Sequence, residues 1–475
     1  MATLSIGAVT LSPTAANYTA APTLAFSGGS TLTGAATLDS TNVILSLGAL
    51  TMAGNSLTTS GSNAVTAGAT SLGGNVTFTV GSTAPLTLGA LADASTARTI
   101  TKAGAGTLTV ATAATSLVTG TQVNITAGTL NSNLAAALGT LAVVDVADGA
   151  TFGSGATQTI GSLTNSTTSA NTGIVNISTG TLTVGSTNNL DSSFSGVISG
   201  TGALTKAGTG VMTLSGANTY TGLTTVNAGT LKAGASGIIA SANTSGVTVA
   251  ATGAGITATF DLDGFNQTLN TPSGTGTALT LSGSTATSAP AVQGVGSTLT
   301  INGNISYSST GSSLGALISV SNLNLGGGAR TVTAGDTPTA AVDLTISSTV
   351  TNGTFSKAGT GTLLLTSDYA APSGAFTIAS AAGSLITTGT VTSTVAQTFT
   401  NNSSASNTLL GILDVAGKLD MGSNALTVAG AGATRLSNIA SGASANVLSG
   451  GITLNGAAGN SLTVYAPAAG AGAGA

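Results

Sequence analysis

The sequence predicts an all-β fold, a parallel β-helix (β-solenoid) of stacked coils. Three observations point there. Short runs alternate apolar and polar residues with period two and are bounded by Gly, Ser, Asn and Thr, the pattern of strands between turns. One stretch at residues 204–231, LTKAGTGVMTLSGANTYTGLTTVNAGTL, recurs in degenerate form on either side. Aromatic residues make up only 3% of the chain, so the core is filled by small and medium aliphatics. A narrow coil lumen suits such a core better than a string of β-sandwiches does.

Along the chain, the pattern is present from the start in TLAFSGG, TLTGAATLDS and NVILSLGALTMAG. In NVTFTV the residues Val76, Phe78 and Val80 share one face while Thr77 and Thr79 take the other. A Lys-Ala-Gly-x-Gly opening then appears at Lys102, Lys206 and Lys357, followed each time by an alternating run. Aligning the three copies puts Leu108, Met212 and Leu363 at one inward position and Val110, Leu214 and Leu365 at the next. Thr107 and Thr362 face outward, and Val211 is the exception. The clearest repeats are therefore 101–130, 204–231 and 355–385, each close to one coil. Looser relatives lie between them, VDVADGATFGSGATQTIGSL at 144–163 and FDLDGFNQTLN at 260–270 among them. The reading is a continuous or nearly continuous solenoid over 1–465, with small strand-rich insertions allowed, and an Ala/Gly-rich tail at 466–475. Helix is not expected, because 69 Gly and abundant Thr and Ser leave no window with a strong helical stripe; residues 135–137, three alanines, are the best candidate.

Charged residues are 4% of the chain, against roughly 25% in an average soluble domain. With a net charge of −4 over 475 residues, self-repulsion is weak and contact with copies of itself is expected. Eight Lys and Arg scattered singly cannot neutralise a row of phosphates, so nucleic acid is not an expected partner. No run of about 18 apolar residues exists, so no transmembrane helix is expected. The first residues lack the charged and apolar regions of a secretory signal.

At residues 204–231 the chain resembles the autotransporter-associated β-strand repeat, also called the passenger-associated transport repeat. The residues that carry the resemblance are the opening from Lys206 to Gly210, the SGANTYTG loop from Ser215 to Gly222 and the NAGTL close from Asn227 to Leu231. FDLDGFNQTLN resembles an element that accompanies it. The resemblance implies a right-handed β-helix on the bacterial exterior, acting as adhesin, surface-layer component or scaffold. A cell-surface glycan or an outer-membrane anchor is the further partner it implies.

Catalytic chemistry finds little to work with. His and Cys are absent, which removes nucleophile–histidine arrangements and zinc sites as usually built. Asp261 and Asp263 sit two apart and could form an acid/base pair, but Asp263-Gly264 reads first as a turn. Calcium ligation by Asp261 with Asp263, Asp145 with Asp148, or Asp414 with Asp420 lacks the bidentate Glu of the usual loop. Lys102, Lys206 and Lys357 read as solvated charges at a coil corner rather than as contacts to an anionic glycan, and Tyr220 as the cover of a turn rather than a sugar platform. Asn-x-Ser/Thr triplets such as those at Asn124 and Asn304 carry little information in so Thr-rich a chain. No catalytic, cofactor or metal residue is expected. The leading functional expectation is a non-enzymatic, self-associating surface-layer, sheath or fibre subunit. The alternative is a monomeric passenger acting as an adhesin, and a polysaccharide-active enzyme is third.

Overall fold

The computed structural model describes residues 4–6, 10–11 and 21–465, apart from 113–116, 133, 135–137, 139, 141, 167–170, 186–188, 241, 244, 254, 272–275, 285–286, 288, 310–313, 338–339, 372–375, 380–381, 394–396, 403–412, 416–418, 421–423, 438–451 and 457–460. The three alanines at 135–137 and the tail at 466–475 lie outside the described residues. The described residues are all-β and contain no helix. Their strands pair in parallel and wind as a β-solenoid. The chain divides into two compact units, Met1–Leu223 and Thr224–Ala475.

In the first unit a coil visits three faces in turn. Ser30–Leu32, Ala36–Asp39 and Ile44–Leu47 form one circuit, and Leu50–Met52 then stacks on Ser30–Leu32 to begin the next. Leu57 lies opposite Phe78, and Leu108 opposite Leu130, so the coil period is short and nearly constant here. That length follows from three short strands with tight Gly-containing turns between them. Because equivalent residues stack, alternation in each strand becomes a ladder through the unit. Leu45, Val65, Leu86, Leu108, Leu130, Phe152, Val175 and Ile198 are successive register partners, none more than 2% exposed. Burial of each aliphatic member contributes on the order of 1.5–3 kcal/mol, but only when a neighbour covers it. The matching outward row includes Ser46, Thr66, Thr87 and Thr109, all partly exposed.

The second unit keeps the parallel stacking but lengthens its early coils. Leu231 is opposite Phe260 and Phe260 opposite Val292, both wider separations than that of Leu108 from Leu130. Further on, Leu363 is opposite Leu385, and the shorter period of the first unit returns. The long strand Ala289–Asn302 runs round a coil corner. Its first part pairs with Thr257–Asp261 and its last with Gln267–Asn270. Against the next strand, Ala316–Asn324, its register shifts between Gly294 and Thr298. This irregularity turns Val295 out of the sheet, where it is 90% exposed.

The sequence-predicted inward residues Leu108, Val110, Met212, Leu214, Leu363 and Leu365 are all buried, and Thr107, Val211 and Thr362 are partly exposed.

Candidate functional site

The three recurring lysines are not solvated. Lys102, Lys206 and Lys357 are 0%, 1% and 0% exposed, which corrects the corner-charge expectation. Their places in the alternation explain why. Lys102 is the register partner of Phe78 and Ile125, Lys206 of Val184, and Lys357 of Val332 and Ile378, all inward positions. Each lysine ends the inward row of its strand, and its ammonium turns back on the corner that follows. Lys102 Nζ donates to the carbonyls of Ala103 (3.0 Å), Gly104 (2.8 Å) and, one coil on, Ala127 (2.9 Å), which uses all three of its donors. Lys206 Nζ donates to Ala207 and Gly208, and Lys357 Nζ to Ala358 and Gly359, at 2.5–2.8 Å. Burial pushes each of the three down from 10.5 to about 8, opposed at Lys206 by Asp191 and at Lys357 by Asp343. A group so enclosed cannot reach a partner molecule.

Six aspartates are equally committed to the scaffold, accepting backbone N–H groups from the following coil at corners. Asp93 takes Val118 N–H (2.7 Å) and the Thr121 hydroxyl (2.6 Å); Asp191 takes Val211 N–H (2.7 Å). Asp343 takes Thr362 N–H, and Asp368 takes Thr390 N–H. Asp145 and Asp148, weighed as a calcium pair, belong to this class: Asp145 accepts from Ser166 N–H and from the Thr164 and Ser166 hydroxyls, and Asp148 from Thr172 N–H. Asp414 and Asp420 lie on the strands Leu413–Val415 and Leu419–Asp420. Among the described residues no group of three acidic, His or Cys side chains converges as a metal site.

Asp261 and Asp263 differ. Asp263 stands at the turn with φ of 47°, followed by Gly264 at 86°, and its N–H donates to Asp261 Oδ1 (3.0 Å). Lys232 Nζ pairs with Asp263 Oδ2 at 3.0 Å on the surface, and Gln293 Nε2 donates to Asp261 Oδ2 at 3.0 Å. Lys232, Asp261, Gln293 and Ser319 are register partners on four successive coils, so their outward side chains form one row. Beside that row an open cleft of about 440 Å³ is lined by Asp261, Asp263, Gln293, Gly294, Val295 and Ser319. Sequence reading found the two aspartates but not Gln293, Val295 or Ser319, which reach the cleft through stacking across coils of unequal length.

The passenger-associated-transport-repeat family model matches residues 100–131 and 204–233, the two segments opened by Lys102 and Lys206. Those two segments of the chain are passenger-associated transport repeats, the β-strand repeats of autotransporter passengers. Over 83 residues it is 42% identical to the Adhesin BmaC autotransporter of Brucella suis biovar 1 (strain 1330). That stretch is 18% of this chain and 2% of the adhesin, so the chain spans a small part of the relative's length. No solved structure matches. The repeats and the adhesin similarity are those of extracellular, cell-surface proteins, and they indicate that location for this chain.

The passenger repeat's signature residues have visible structural duties. In its Lys-Ala-Gly-x-Gly opening, the first glycine adopts positive φ (75° at Gly104, 68° at Gly208), and its carbonyl accepts the lysine. At the second, a Cβ on Gly106 would collide with the Gly81 carbonyl of the preceding coil. In the SGANTYTG loop, Asn218 Oδ1 accepts Ile198 N–H at 2.8 Å, and Tyr220 is fully buried, which leaves no ring face open as a sugar platform. The lysine of the third copy, outside the matched segments, makes the same two carbonyl contacts.

Proposed function

We propose that the chain is a non-enzymatic adhesive passenger, a solenoid whose interior and corners serve stacking and whose outer surface engages a partner on another cell. The observation that carries this reading is the 42% identity to an adhesin over 83 residues, in a chain that also carries two passenger-associated transport repeats. The placement of chemistry supports it. Lys102, Lys206, Lys357 and six aspartates are consumed by coil corners, while Asp261, Gln293, Val295 and Ser319 line a cleft on the outside. The cleft's two carboxylates are bound up in a turn, an ion pair and an amide hydrogen bond, which supports binding over proton transfer. The self-associating subunit rests on weak charge repulsion and on the stacking edges of a solenoid, and the adhesin similarity favours the adhesive reading over it.

The test is adhesion of chain-coated beads to cultured cells, with electron microscopy of the free chain alongside. Beads are expected to adhere above an uncoated control while the free chain stays as single particles at every concentration. Ordered filaments or sheets together with non-adherent beads would reverse the order of the two readings.

A further inference from the structure

We propose that the outer row Lys232–Asp261–Gln293–Ser319 and its cleft bind a neutral, extended oligosaccharide running across the coils, parallel to the stacking direction; this rests on the adhesive reading and gives it a ligand class. The geometry is the first reason. The four residues are register partners on successive coils, so their side chains repeat at the strand spacing of about 4.8 Å. A pyranose ring in an extended glycan advances by close to one such spacing, so consecutive sugars meet consecutive coils. Chemistry is the second. A carboxylate, an amide and a hydroxyl in a row supply acceptors and donors side by side, which is what vicinal sugar hydroxyls require. Val295, 90% exposed, offers an apolar wall for the C–H face of a ring, and Phe265, 36% exposed, follows the same turn. The cleft's size falls in the range that holds small ligands.

Charge and pairing narrow the class. Asp261 and Asp263 against Lys232 leave the face net negative, which repels sialylated or uronate-bearing glycans. An added peptide strand has no place here. Thr257–Asp261 is paired on both sides, with Gly229–Ala233 and with Ala289–Asn302, so that strand offers no free backbone edge to a peptide. Recognition falls to side chains.

The experiment is calorimetric titration of the full chain with cellohexaose and with chitohexaose as neutral extended probes, and with polygalacturonate fragments as the acidic extended probe. Gln293→Ala and Val295→Asp are titrated in parallel; both side chains are exposed, and unchanged circular dichroism and melting certify the fold. The expected result is saturable binding of at least one neutral probe, weaker binding of the acidic one, and a loss of about five- to tenfold in affinity in each variant. Absence of binding by both neutral probes, preference for the acidic probe, or affinity unchanged in both variants would overturn the proposal. Bead adhesion that persists in both variants would remove the glycan cleft while leaving the adhesive reading standing. Loss of adhesion by the unaltered chain, with glycan binding intact, would do the opposite.

Discussion

At Lys102, Lys206 and Lys357 a full charge is enclosed at an inward position, and two opposing effects meet there. Burial disfavours the ammonium, while the corner carbonyls are satisfied by it. Because the folded lysines titrate near 8 and the unfolded ones near 10.5, the unfolded chain holds more protons between those values. Stability therefore rises with pH from about 8, by up to roughly 2–3 kcal/mol per lysine at pH 10. Above pH 10 Tyr369 works the other way: burial raises its phenol, which donates to the Gly353 carbonyl, so that contribution is lost as the unfolded tyrosine ionises. Thermal midpoints measured from pH 7.5 to 10 are expected to climb in the unaltered chain and to lie flat when all three lysines are replaced by Met. A flat profile in the unaltered chain would refute the buried-ammonium description. The inward placement was legible in the sequence. Ile100 and Lys102, and Leu204 and Lys206, share one parity, and that parity outweighs the general preference of lysine for water.

The element that decides coil stacking is the corner, where N–H groups leave the ladder and need an acceptor. Asp191 illustrates the rule, because its carboxylate reaches the Val211 N–H that opens the strand of the next coil. What the corner uses is the oxygen rather than the charge. Asn189 makes the equivalent contact to Thr209 N–H at 2.9 Å, and Asn75 to Thr99 N–H. Asp191→Asn is accordingly expected to keep the melting temperature close to that of the unaltered chain, whereas Asp191→Ala should cost about 1–3 kcal/mol by orphaning the donor. Equal losses in the two variants would mean that charge, not hydrogen bonding, holds the corner. Strand existence and face were readable from alternation, as in Val76, Phe78 and Val80. The corner partners were not, because each pairs residues on different coils, and the offset between them changes with every coil length.

Across the chain, repetition made the fold class readable and hid the site. A stacked coil forces aliphatic residues into register, so composition and period lead to a solenoid. The cleft depends on the opposite feature, departures from the repeat: the lengthened coils that set Leu231, Phe260 and Val292 in register, and a register shift that exposes Val295. Single-coil reasoning reaches Asp261 and Asp263 and stops there. On the adhesive reading proposed above, the molecule divides its labour between repeated residues that build and irregular ones that bind. Adhesion per folded molecule, compared between Val295→Asp and Lys206→Met, tests this division most directly. Val295→Asp is expected to lose adhesion without a change in melting, and Lys206→Met to change melting without losing adhesion per folded molecule. Full adhesion by Val295→Asp, with adhesion lost in folded Lys206→Met, would contradict that division.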